Sequence, residues 1–229
     1  MYRGMLEAMG YSRNRKPFLD LAHRLPWRVV RSLARACRGA PRARVIHGLM
    51  RKVAGFAEMQ ADGTRLPGHV VAVDRDAWCM AGIRPSNQPH RRLAGVAILL
   101  DRFVDSDIVA GLIPMTELRR TGPLTDALTV VESGVALIGH SRAPDITVNV
   151  ALPLLHAWAV YRYDKALMKA TLRLYQSAPS LAENEITREM ATLLGISSDP
   201  MFGGALRKQG LIHLYHEMLR EGATASLDT

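Results

Sequence analysis

The chain has 229 residues with 48% hydrophobic and 22% charged content, which places it among globular proteins with enough apolar matter for a core, as one ordinary domain or two small ones. Its formal charge is +9, but residues 1–52 hold 13 basic and 2 acidic side chains (Glu7 and Asp20), so the basic character is N-terminal and the rest of the chain is slightly acidic. Two cysteines, Cys37 and Cys79, exclude a disulfide framework, and no apolar run reaches the ~18 residues of a membrane-spanning helix. The N-terminal MYRGMLEAMG has neither a long apolar stretch nor a small-residue cleavage site, so the expectation is a soluble, cytoplasmic chain without a membrane partner.

Helical periodicity dominates. Pro17 suits the first turn of a short helix through Arg24, and Pro26 opens the next in the same way, because a first-turn residue needs no N–H. From Pro26 to Cys37, Val29, Val30, Leu33, Ala34 and Cys37 recur at spacings of three and four, with Arg28, Arg31, Arg35 and Arg38 on the opposite face. Arg42 to Phe56 repeats the pattern, with Val45, Leu49, Val53 and Phe56 on one face and Arg44, Arg51 and Lys52 outside it. The segment 61–67, ADGTRLP, is turn chemistry, and HVVAV from His69 is too short to separate strand from buried helix, although no sheet is expected.

RPSNQP at 84–89 is an ordered turn, since each proline keeps its predecessor out of the α region. It launches a helix from Pro89 to Phe103 with Leu93, Val96, Ala97, Leu99 and Leu100 on its apolar face. Helices are predicted over Asp107–Arg120 and Pro123–Glu132, before a Gly-rich stretch that ends near His140–Pro144. Asp145–Tyr163 is the most apolar helix, a candidate for the centre of the core, kinked or divided by Pro153. Asp164–Gln176, Asn184–Gly195 and Phe202–Arg220 complete an all-α domain of nine to eleven helices with little or no sheet. It is read as one domain over 1–229, with a basic subregion at 1–52 and a more apolar region at 85–220.

Three polar clusters interrupt this background. In YSRNRKPF, Tyr11 to Phe18, three cations lie between two aromatics: either Arg13, Arg15 and Lys16 grip phosphates while Tyr11 stacks a base, or this is a solvated interhelical loop. In RPSNQPHRR, Asn87 braces the turn, and Arg91 and Arg92 fall in the first helical turn, where positive charge opposes the helix dipole. They need an anion, either an internal carboxylate or a phosphate, and Arg84 has the same choice. The third cluster joins Glu183, Asn184, Glu185, Thr187, Arg188 and Glu189 to Arg207, Gln209, His213, Tyr215 and His216. These include acid, base and metal-ligand types, but two histidines three apart without an H-E-x-x-H context predict no metal site. Asn184 or Thr187 suits a helix cap, and Arg207 and Gln209 suit donation to exposed carbonyls. His156 and Asn149, in the apolar helix, require polar partners, and Trp27, Trp78 and Trp158 have the spacing of core anchors.

Five ordered stretches, YRGMLEAMGYSRNRKPFLDLA, GIRPSNQPHRRLAG, ITVNVALPLLHAWA, LAENEITREM and LRKQGLIHLYHEML, resemble the C-terminal half of the bacterial domain of unknown function 2851 family, from Tyr2 to about Met218. The resemblance implies that Asn87, Glu183, Asn184, Arg207, Gln209 and Tyr215 form a family-motif polar cluster. Longer members begin with a further domain whose G-P-D-F and G-D-V-E-I-H elements look like the metal-binding Asp and Glu of a PD-(D/E)XK nuclease-like fold. Neither element occurs here; the nearest candidates, Asp145 and Glu183-Asn184-Glu185, sit in helical context, so no catalytic residue, metal or cofactor carries over. The resemblance leaves open a truncated, split or standalone form of such a protein.

Taken together, the expectation is a non-catalytic helical module that binds nucleic acid through Arg3, Arg13, Arg15, Lys16, Arg28, Arg31, Arg84, Arg91 and Arg92, next to a nuclease-like domain or chain. The alternative is a protein-interaction or scaffold domain in which those arginines form a solvated face or meet an acidic surface. Arginine outnumbers lysine by 25 to 5, a bias that genome composition alone also produces.

Overall fold

The computed structural model describes residues 1–37, 39–57, 66–182, 185–196 and 204–225, the last five by backbone alone. The protein is all-α. Its helices are α1 (Tyr2–Met9), α2 (Tyr11–Arg24), α3 (Trp27–Ala36), α4 (Arg42–Val53), α5 (Pro89–Asp101), α6 (Ile108–Leu112), α7 (Gly122–Leu128), α8 (Arg142–Ile146), α9 (Leu152–Tyr161), α10 (Lys165–Ser177), α11 (Glu185–Leu193) and α12 (Ala205–Ala225). A π-helical turn, Thr147–Ala151, joins α8 to α9 in one continuous rod, and counting that rod once gives eleven helices among the described residues. The one sheet among them is a hairpin of β1 (Val130–Glu132) and β2 (Val135–Ile138). Its turn residues Ser133 and Gly134 both have positive φ, as the primed turns of tight hairpins require.

One apolar core runs from α1 to α10. Met5, Leu6 and Met9 of α1 and Phe18 and Leu21 of α2 meet Ile46, Leu49 and Met50 of α4 and the Leu93–Leu100 face of α5. Phe18 lies edge-on to Trp78 at 5.1 Å, and the Trp78 indole donates to the Ala54 carbonyl at 2.9 Å, so this tryptophan satisfies its N–H inside the core. The α5 helix packs on the hairpin through Gly95, where a Cβ would lie 2.9 Å from the Leu137 Cβ.

Several expectations change. Tyr11–Phe18 is not a loop: α2 begins at Tyr11, and Pro17 is a buried interior residue of it. Gly10 is the whole joint between α1 and α2, and Tyr11 turns the chain with φ of 49°. A Cβ on Gly10 would lie 2.3 Å from the backbone carbonyl of Asn14, so only glycine fits. Lys52, assigned to the outer face of α4, is buried. The helix predicted to reach Glu132 stops at Leu128, because Val130 and Val131 pair across the hairpin instead. That predicted over Asp107–Arg120 is reduced to α6 and a 3-10 turn at Ile113–Thr116.

Just before Pro153 the apolar rod passes through the π-helical turn without a break, and the rod is not the centre of the core. Leu152, Leu155 and Ala159 are buried, whereas Leu154, Trp158, Val160 and Tyr161 face outward. Trp158 is therefore no core anchor, and Asn149 is exposed rather than buried. His156 has the partner it needs, Thr171 Oγ1 at 2.9 Å.

Part of the N-terminal charge is consumed internally. Arg31 donates to the Val104 and Asp105 carbonyls at 2.6 and 2.9 Å, and Arg35 donates to the latter at 2.8 Å. Arg42 pairs with Asp101 at 2.9 Å and Asp105 at 2.7 Å. These arginines fasten α3 and α4 to the end of α5, where carbonyls past the last turn lack amide partners.

Candidate functional site

Two arginines converge on Tyr11. Arg92, in the first turn of α5 and only 5% exposed, donates Nη2 to the Tyr11 hydroxyl at 2.6 Å and to Asn87 Oδ1, and Nη1 to the Leu137 carbonyl at 3.2 Å. Arg142, at the start of α8, lays its guanidinium carbon 3.3 Å from the Tyr11 ring centroid; Arg92 is 4.8 Å from the same centroid. The left-handed turn at residue 11 directs this ring between α5 and α8. Arg92 is thus compensated by a π face and neutral oxygens, with no carboxylate paired to it among the described residues.

Burial holds both guanidiniums below their ordinary pKa; Tyr11 opposes this in both, and Arg142 adds to the depression at Arg92. The Asp145 carboxylate pairs with Arg142 at 3.2 Å, yet burial pushes its pKa above the usual carboxylate range against the pull of that charge. Desolvation therefore outweighs attraction on both sides of the pair. The Nε atoms of both arginines are buried without a hydrogen-bond partner.

Around this centre the surface is concave. A cleft of about 520 Å³ between α1, α2 and the rod is lined by Glu7, Tyr11, Arg15, Arg142, Asp145 and Leu154 among others. Arg142, Asp145 and Asn149 also line a second hollow of about 310 Å³ toward α12, where Gln209 donates to Asn149 at 2.6 Å. A third, of about 250 Å³, lies between the start of α2 and the turn before α5, with Tyr11, Arg13, Asn14, Arg84 and Asn87 on its walls. Asn14 builds that wall: buried, it donates to the Cys79 carbonyl at 2.9 Å and accepts from the Cys79 N–H at 2.8 Å, which fixes the 79–82 segment against α2. Arg13 donates to the Ala81 carbonyl at 3.3 Å, and Arg13, Lys16 and Arg84 are exposed and form no ion pair among the described residues. Arg15 is paired with Glu7 at 2.6 Å.

The cleft runs onto an aromatic ridge. Leu154 lines it, and Trp158 and Tyr161 follow at i+4 and i+7 on the same side of α9, over about 10 Å of helix. Trp158 is 39% exposed, Tyr161 72% and Tyr163 89%; the first two rings are 5.8 Å apart, and the Arg162 guanidinium lies 5.8 Å from the Trp158 ring. The next helix, α10, presents Lys165, Lys169 and Arg173 at i, i+4 and i+8, all exposed and none ion-paired among the described residues.

The sequence clusters are thus partly united. Tyr11, Arg13, Arg15, Arg84, Asn87 and Arg92 meet, and Gln209 reaches the same region. Lys16 is exposed beside Arg15 on α2. Arg28 lies in a separate hollow with Arg3, His23 and Trp27, Arg31 is tied to carbonyls, and Arg91 faces another cavity. Arg207 is exposed on α12, and Tyr215 is half-buried with its ring edge-on to His216; neither lines the cleft. Glu183 and Asn184 lie outside the described residues. Sequence reasoning missed Asn14, Arg142 and the α9–α10 surface. The signal for the last was present as Lys165, Lys169 and Arg173 at helical spacing beside an aromatic-rich helix end.

Among the described residues no group of three or more His, Cys, Asp or Glu side chains is placed to hold a metal, and no helix is long and apolar enough to cross a membrane. No family model matches the chain, and no curated protein or solved structure matches it.

Proposed function

We propose that this chain is a non-catalytic helical module that binds nucleic acid, single strands ahead of duplex. The observation that carries the reading is the ridge of exposed Trp158 and Tyr161 with Arg162, flanked by Lys165, Lys169 and Arg173 and leading through Leu154 to the cations around Tyr11. Single-strand sites combine a positive track for the backbone with aromatic faces for unstacked bases, and a base stacked on an exposed ring contributes about 1–3 kcal/mol. In this reading Arg13, Lys16, Arg84, Lys165, Lys169 and Arg173 contact phosphates. Arg31 and Arg92 leave the contact set because their donors already serve the fold. The resemblance to the domain of unknown function 2851 family supports a place beside a nuclease-like partner, to which the module would hold a strand.

Fluorescence anisotropy with labelled single- and double-stranded oligonucleotides, across several salt concentrations, tests this. Four to seven neutralised phosphates on a single strand give a slope of log affinity against log salt of about −3 to −5. Trp158→Ala should weaken single-strand binding at least fivefold with little change in that slope, whereas Lys165→Glu with Lys169→Glu should flatten it. Absence of binding at low salt refutes the reading. The alternative, a protein-interaction module, is favoured by the i, i+4, i+7 spacing of Leu154, Trp158 and Tyr161, an anchor pattern that also receives a helix. It predicts a partner whose binding Trp158→Ala weakens and salt leaves nearly unchanged.

A further inference from the structure

Arg91 and Arg92 are consecutive on α5 and therefore point about 100° apart. Arg92 reaches Tyr11, while Arg91 faces a cavity of about 550 Å³ bounded by α4, α5 and the hairpin. Arg51, from the last turn of α4, enters the same cavity, as do His47, one turn earlier, and His90. Neither guanidinium forms an ion pair among the described residues; Arg51 makes only a long contact, 3.4 Å, to the Phe56 carbonyl. Among the described residues the single carboxylate on the lining, Glu132, is likewise paired to neither arginine. The His47 Nε2 is buried without a hydrogen-bond partner, and burial, aided by the Arg51 charge, holds this imidazole below its ordinary pKa.

Apart from Ser133 the remaining wall is apolar. Phe56, Ala94, Val135 and Leu137 line it, and Val135 is left 45% exposed although it sits in a strand packed on α5. A concave site of a few hundred Å³ with apolar walls and a few converging polar groups is the usual form of a small-molecule pocket. Apart from its two histidines, the lining formed by described residues carries two guanidiniums against one carboxylate, an excess of a single positive charge. A carboxylate ligand matches that balance, whereas a phosphate dianion exceeds it. Arg91 also sits where the first turn of α5 itself favours an anion.

We propose that this cavity binds a small organic carboxylate, its head between Arg51 and Arg91 and its apolar body against Phe56, Ala94, Val135 and Leu137. The site is separate from the nucleic-acid surface and does not depend on it. NMR titration of the full chain, following the His47 and His90 rings and the Val135 and Leu137 methyls, tests it with four probes: 3-phenylpropionate, its neutral amide, acetate and phenyl phosphate. The phenylpropionate should shift these signals saturably, with the amide and acetate at least tenfold weaker and Arg51→Gln with Arg91→Gln at least tenfold weaker for the acid. Arg13→Glu with Arg15→Glu should leave the binding unchanged. No saturable shift, equal binding of acid and amide, or tighter binding of phenyl phosphate would each overturn the assignment. Should the arginine double variant fail to fold, the acid-to-amide ratio on the unaltered chain still decides.

Discussion

Tyr11 is where the candidate site and the fold meet, and replacing it separates two contributions. Tyr11→Phe keeps the ring under both guanidiniums and removes only the 2.6 Å acceptor of Arg92. A hydrogen bond to a charged group contributes about 1.5–3 kcal/mol, and the lower end applies because Arg92 retains Asn87 and the Leu137 carbonyl. Tyr11→Leu also removes the π face from Arg92 and Arg142, a loss of about 1 kcal/mol or more for each desolvated cation. The expected costs are therefore about 1.5 kcal/mol for Phe and about 3.5 kcal/mol for Leu, or roughly 3–6 and 7–14 °C in Tm for a chain of this size. Urea unfolding followed by far-UV circular dichroism measures both. Adding Arg142→Met to the Tyr11→Leu background should cost less than Arg142→Met alone, because part of its interaction is already gone. Equal stability of the Phe and Leu variants would refute the claim that the ring carries the two cations. Wild-type stability of both would remove Tyr11 from the framework altogether.

Two further substitutions test the local geometry. Gly10→Ala places a methyl 2.3 Å from the Asn14 carbonyl and should cost about 2 kcal/mol or more in urea unfolding, while Gly122→Ala, with nothing within 4 Å, should be neutral or slightly stabilising. Loss of less than 0.5 kcal/mol for Gly10→Ala would show that the α1–α2 joint is not the one described. Trp78→Ala removes a core ring hydrogen-bonded to Ala54 and should cost about 3–5 kcal/mol, whereas Trp158→Ala should cost less than about 1 kcal/mol and act on nucleic-acid affinity instead. Comparable destabilisation by the two would mean that Trp158 is buried by the fold.

The helices were legible where apolar periodicity and a capping proline agree, as in α3, α4 and α5. At Pro17 the same chemistry misleads. A proline marks a first turn only if nothing upstream already forms helix, and here Tyr11–Lys16 does, with Pro17 itself packed inside. The hairpin was hidden because Val130–Val131 and Val135–Ile138 are short apolar runs, and only the Ser133-Gly134 pair between them signals a tight turn. Burial on α9 was beyond the sequence for a different reason. A helix that is apolar on every side carries no amphipathic signal to say which side meets the core, so Trp158 and Leu155 look alike until the fold buries one of them. The candidate site shows the same limit in polar residues. Arg91 and Arg92 are equivalent as letters, and the expectation that both need an anion fails for Arg92, whose partners are a π face and neutral oxygens. What compensates each depends on a ring some eighty positions away and on a hairpin that closes another cavity, and both are set by packing. The net charge of residues 1–52 therefore described the wrong quantity. Arg31, Arg35 and Arg42 are occupied by the end of α5 and its following loop, while Lys165, Lys169 and Arg173 form no ion pair among the described residues, in a part of the chain that is acidic on average. A positive surface is decided by which cations the fold leaves without carboxylates or carbonyls, and that selection moves the proposed contacts from the N-terminal third to a track shared by α2, α9 and α10.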